Sequence, residues 1–138
     1  MLVGLAAIFI VLLVGVAKHH AVADQLHSWK ILSEPERLTE VYFADHDKLP
    51  RTYVPGQPLS FAFITHNLED RTTAYHYTVE QRTADGEPIK LGSGAFTLQN
   101  NVSHKETLSI TPTDIGRSYV RVTVQPGSEV INFWMDRG

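Results

Sequence analysis

The sequence predicts an all-β sandwich carried behind one apolar N-terminal helix. Three observations predict it. Residues 2–17 are apolar, and the first charge is Lys18. From residue 38 onward, apolar and polar residues alternate in short runs, the period of a half-buried strand. Turns rich in Pro, Gly, Asn and Asp separate those runs at intervals of about 8–12 residues, with no helical stretch between them, the pattern of an antiparallel sandwich or barrel.

The apolar head reads as a retained membrane anchor. A secretory signal starts with a basic segment, and residue 2 here is already Leu. Ala21-Val22-Ala23 has the small-x-small form of a cleavage site, but Lys18, His19 and His20 stand between it and the apolar run. At 1.5 Å per residue the run makes a helix of about 25 Å, slightly short of a hydrocarbon core of about 30 Å. Val22, Leu26 and Trp29 fall on one helical face and extend it as a short amphipathic turn, with Trp29 suited to the membrane interface. The residues expected to span are Leu2, Val3, Leu5, Ile8, Phe9, Ile10, Leu12, Leu13 and Val16. No small-xxx-small pair signals tight self-dimerisation. Residues 1–29 are thus the anchor, 30–37 a linker stopped by Pro35, and 38–138 the β-domain.

The strands follow in order. Residues 38–44 (LTEVYFA) form the first, and Asp45-His46-Asp47-Lys48 with Pro50 a polar break. After the turn Pro55-Gly56-Gln57-Pro58, residues 59–66 (LSFAFITH) are apolar on both faces and predict a central strand. Residues 72–82 alternate cleanly, with Tyr75, Tyr77 and Val79 on one side. Asp85-Gly86 makes the next hairpin turn. A weak pair, 89–91 and 95–98, flanks a flexible Gly92-Ser93-Gly94. Residues 102–110 place His104, Glu106 and Thr107 toward solvent. A corner at 111–116 leads to 117–125 (RSYVRVTVQ), and Pro126-Gly127 turns the chain back into 130–135 (VINFWM).

Seven or eight strands in about 100 residues, with corners of this length, favour an immunoglobulin-like antiparallel sandwich. Asp114-Ile115-Gly116 ahead of Tyr119 is close to the tyrosine corner of such domains, one residue longer than usual. The chain has no cysteine, so packing alone holds the domain. A net charge of −3 with no Lys/Arg run gives no nucleic-acid signature.

The segments PERLTEVYF, LPRTYVPGQPLSFAFITHN, TAYHYTVEQ and VINFWMDR resemble a prokaryotic family catalogued as domain of unknown function sixteen-sixteen. The resemblance covers about residues 35 to 137 and rests on the T-E-x-Y strand, the G-x-P lead-in and the aromatic last strand. It departs in a short histidine-containing loop after the first strand, and in having one spanning segment where larger members have several. The resemblance implies membrane association and an immunoglobulin-like domain outside the cytoplasm. It implies no activity and no catalytic residues.

No catalytic motif is present, so a non-enzymatic role is expected, with no cofactor and no small-molecule substrate. Gly92-Ser93-Gly94 lacks the strand-turn-helix setting of a nucleophile elbow. Of the seven histidines, His19 and His20 are adjacent and do not share a helical face. His66, His76 and His104 lie on different strands and would have to converge to bind zinc. Asp45-His46-Asp47 offers too few oxygens for calcium. Asn101-Val102-Ser103 is a glycosylation sequon. Phe133 and Trp134 point to opposite faces of one strand. If the sandwich buries only one, the other is exposed or covered by a partner, so Trp29, Phe133 and Trp134 are the expected partner contacts. The expected role is a single-pass protein of the cell membrane, presenting its domain on the extracytoplasmic side to integral membrane or envelope proteins. A pilin-like filament subunit with the helix as filament core, and an exported ligand- or metal-binding domain, are the alternatives.

Overall fold

The computed structural model describes residues 36–138. The expected anchor, Trp29 and nearly all of the linker lie outside the described residues. Among the described residues no helix is long and apolar enough to cross a membrane.

Eight strands follow one another: β1 (Leu38–Phe43), β2 (Thr52–Tyr53), β3 (Leu59–Leu68), β4 (Thr73–Arg82), β5 (Ile89–Leu98), β6 (Ser103–Ile110), β7 (Ser118–Gln125) and β8 (Glu129–Arg137). A single 3-10 turn, His46–Lys48, stands between β1 and β2. Two sheets form, in strand orders β1-β3-β6 and β2-β8-β7-β4-β5. The chain changes sheet five times, from β1 to β2, β2 to β3, β3 to β4, β5 to β6 and β6 to β7. That order is the Greek-key arrangement of an immunoglobulin-like sandwich.

Alternation decides which side chains meet between the sheets. Phe61, Phe63, Thr65 and Asn67 of β3 point inward, as do Tyr75, Tyr77, Val79 and Gln81 of β4 and Val120, Val122 and Val124 of β7. Phe43, Phe61 and Phe133 form an edge-to-face trio with ring centres 5.2–6.0 Å apart. Phe63 meets Tyr77 in the same way at 5.3 Å. Each fully buried side chain of this size contributes about 1.5–3 kcal/mol, and each aromatic pair about 0.5–1.5 kcal/mol more.

Four expectations are corrected. The sandwich is not wholly antiparallel: β2 pairs in parallel with β8, Thr52 opposite Asp136 and Tyr53 opposite Arg137. A two-residue strand has no periodicity to read. Residues 89–98 form one continuous strand rather than two pieces around a flexible centre. Gly94 is there for space, since a Cβ at that position would overlap the Tyr77 ring. His104 and Glu106 lie on the inward face of β6 with Leu108 and Ile110, while Thr107 is outward and exposed. Their polar groups are held at the seam between β5 and β6: Glu106 accepts from Tyr77 Oη at 3.2 Å and bonds His104 at 2.7 Å. The corner tyrosine is Tyr53 and not Tyr119. Tyr53 Oη donates to the Gly116 carbonyl at 2.7 Å, whereas Tyr119 faces outward.

Candidate functional site

The outer faces of β7 and β8 carry the most distinctive surface. Alternation turns Tyr119, Arg121 and Thr123 outward on β7, because Val120, Val122 and Val124 are committed to the core. On β8 it buries Phe133 at 7% exposure and leaves Trp134 at 46%. Phe133 belongs to the core trio, so of the aromatic pair only Trp134 is presented to solvent. Trp29 lies outside the described residues.

Register then assembles the face. Tyr119 stands opposite Trp134, Arg121 opposite Asn132, and Thr123 opposite Val130. On the other side of β7, Arg82 of β4 stands opposite Tyr119 and Glu80 opposite Arg121. The Tyr119 and Trp134 rings meet with centres 4.8 Å apart. The Arg117 guanidinium lies 5.4 Å from the centre of the Trp134 ring, and that of Arg121 5.3 Å from Tyr119. Each such cation–π contact contributes about 0.5–1 kcal/mol at an exposed site. A hollow of about 330 Å³ opens between these side chains, lined by Ala84, Tyr119, Arg121, Asn132 and Trp134.

The arginines on this face are incompletely satisfied. Arg117 meets Asp136 at 3.7 Å. Among the described residues, Arg82 and Arg121 pair with no carboxylate, and the Nε of each is buried without a hydrogen-bond partner. Arg121 Nη2 makes only a long bond of 3.4 Å to Tyr119 Oη. Arginine and large aromatics are the residue types that dominate binding energy at protein interfaces.

The histidines do not converge. His66 is on the outward face of β3, where one ring nitrogen meets Glu40 and the other Asn101 Oδ1, each at 3.0 Å. Those bonds, first to Glu40 and then to Asn101, raise its pKa above the ordinary 6.5. His76 is exposed on the other sheet. His104 stacks on Phe96 with ring centres 4.5 Å apart. Burial, then the nearby Glu106 charge, raises the Tyr77 pKa above its ordinary value. Among the described residues no group of three or more His, Asp or Glu could hold a metal ion. Asn101 sits exposed in the turn between β5 and β6 at a positive φ of 62°.

The sequence singled out Trp134 but not its companions. Outward placement of Tyr119 and Arg121 was readable from the alternation of β7. Their meeting with Trp134 was not, because it depends on the register between two strands.

No protein-family model matches the chain, and no curated protein matches it. Solved structures do resemble it. A β-glucosidase from Listeria innocua in complex with glucose superposes with a TM-score of 0.59 at 16% identity, covering 78% of this chain and 17% of that one. The β-glucosidase EmGH1 from Erythrobacter marinus gives 0.53 at 9% identity, covering 75% and 15%. The chain therefore matches only a small part of each enzyme. The CARDB domain of the PF1109 protein from Pyrococcus furiosus, in complex with di-metal ions, gives 0.52 at 14% identity, covering 78% of this chain and 91% of that one. At these identities the likeness is one of fold alone, and the fold it supports is the immunoglobulin-like β-sandwich.

Proposed function

We propose that the chain is a non-enzymatic, single-pass membrane protein. Its sandwich stands on the extracytoplasmic side as an accessory or structural subunit of a membrane or envelope complex, docked to a partner protein through the β7–β8 face. The anchor part of this reading is supported by the uncharged run at residues 2–17. The docking part is carried by one observation: Trp134 stands half-exposed against Tyr119 and beneath Arg117, on a domain whose other large aromatics are mostly buried. Membership of the family catalogued as domain of unknown function sixteen-sixteen belongs to the same proposal, on the segments that carry that resemblance.

A photo-crosslinking amino acid placed at Trp134, in membranes of the native host, tests the docking. A discrete adduct from position 134, absent from the exposed Ser109 of the other sheet, is the expected result. Equal labelling at both positions, or at neither, would sink the assignment. Because the natural chain has no cysteine, a single cysteine at Ser93 reports sidedness. A membrane-impermeant maleimide should label it in intact cells, and protection until lysis would reverse the orientation.

A further inference from the structure

We propose that the β7–β8 face docks an acidic, extended segment of its protein partner, and that the hollow beside Trp134 receives one carboxylate from that segment. This rests on the docking reading above and adds the chemistry of what docks. Charge supplies the argument. The face carries Arg82, Arg117, Arg121 and Lys90 against Glu80 and Asp136, on a chain whose net charge is −3. Asp136 neutralises Arg117. Arg82 and Arg121 are left without a carboxylate among the described residues.

The hollow gives that charge a place to be read. No acidic side chain lines it, and Arg121 and Asn132 line it together with the Tyr119–Trp134 pair. A guanidinium offers a planar fork of donors that matches a carboxylate, and the Asn132 amide adds another donor. Aromatic walls exclude water around the pair and strengthen it, as the ring around an interface hot spot does. The two neighbouring arginines set the sign of the remaining field, which favours further acids along the same segment.

The test uses the full chain in nanodiscs of uncharged lipid. The probe is a short fluorescein-labelled peptide of alternating glutamate and threonine, with glutamine–threonine and lysine–threonine peptides as controls. The glutamate peptide should bind saturably, more weakly with added salt, and the other two should not. Arg121→Gln should weaken it by about ten- to a hundredfold, the loss of one charged hydrogen-bonded contact. Arg37→Gln, at a residue paired with Asp70 beside the ends of β1 and β3, should leave it unchanged. Equal binding of the glutamate and glutamine peptides overturns the proposal, as does an Arg121→Gln chain that binds like wild type. Binding to phosphatidylglycerol vesicles in place of the peptide also overturns it and makes the occupant a membrane surface. If the crosslinker at position 134 still captures its partner while the glutamate peptide fails, the carboxylate falls and the docking reading stands. If both fail, both fall.

Discussion

A methyl group added to Gly94 would run into the Tyr77 ring, whereas one added to Gly92, two residues earlier in β5, would meet nothing within 4 Å. The two substitutions therefore separate space from flexibility. Gly94→Ala should cost about 1–3 kcal/mol, the ordinary penalty of overpacking, while Gly92→Ala should stay within about 0.5 kcal/mol. Urea unfolding of the purified chain measures both, and equal costs would refute the role given to Gly94. The sequence presented this stretch as a flexible break because glycine is the usual punctuation of a chain. The ring that requires it comes from another strand. His66 offers a second test at this scale. Both of its partners favour the imidazolium, so its pKa when folded lies above the 6.5 it has when unfolded. The stabilisation is then fully present below 6.5 and is lost as pH rises through the raised folded value. Wild type should exceed His66→Gln in thermal midpoint by most below about pH 6.5, and the gap should close at alkaline pH. A gap that grows toward alkaline pH would contradict the assignment.

At the scale of the element, the corner between β6 and β7 is fastened from two sides. Gln81 is fully buried, donates to the Thr113 carbonyl at 2.9 Å and to Ser118 Oγ at 3.0 Å, and accepts from the Thr113 amide at 2.8 Å. Gln81→Leu keeps the volume and strands those three groups, which should cost about 2–4 kcal/mol. Tyr53→Phe removes only the hydroxyl that bonds Gly116 and should cost about 1 kcal/mol. Urea unfolding again decides, and a Gln81→Leu chain as stable as wild type would refute this account. Alternation made most strands legible, and it also separated the two faces of β4 and β7 correctly. It misassigned β6, because His104 and Glu106 are polar residues on an inward face. Polarity is tolerated there because β5 and β6 are both edge strands, and Tyr77 and Phe96 cover the groups between them. A periodic pattern records which residues alternate, not which side a polar pair will be satisfied on.

Across the whole molecule the two sheets are unequally braced. β4 and β7 are each paired on both sides within the larger sheet, while β1 is an edge strand and β2 pairs over two residues only. Amide hydrogen exchange should be slowest in β4 and β7 and fastest in β1, β2 and the connection between them. Slow exchange at Thr52 and Tyr53 would contradict that order. The sequence conveyed the sandwich because every long strand carries its own signal. It could not convey the face around Trp134, which exists only through the pairing of β7 with β8 and of β7 with β4.

The parallel pair of β2 and β8 bears on the order of events during synthesis. Thr52 and Tyr53 leave the ribosome early, yet their partners are Asp136 and Arg137. Until those arrive, the segment that carries the corner tyrosine has no strand to pair with. The bond from Tyr53 to Gly116 therefore closes over the β6–β7 corner late, once β8 has been made.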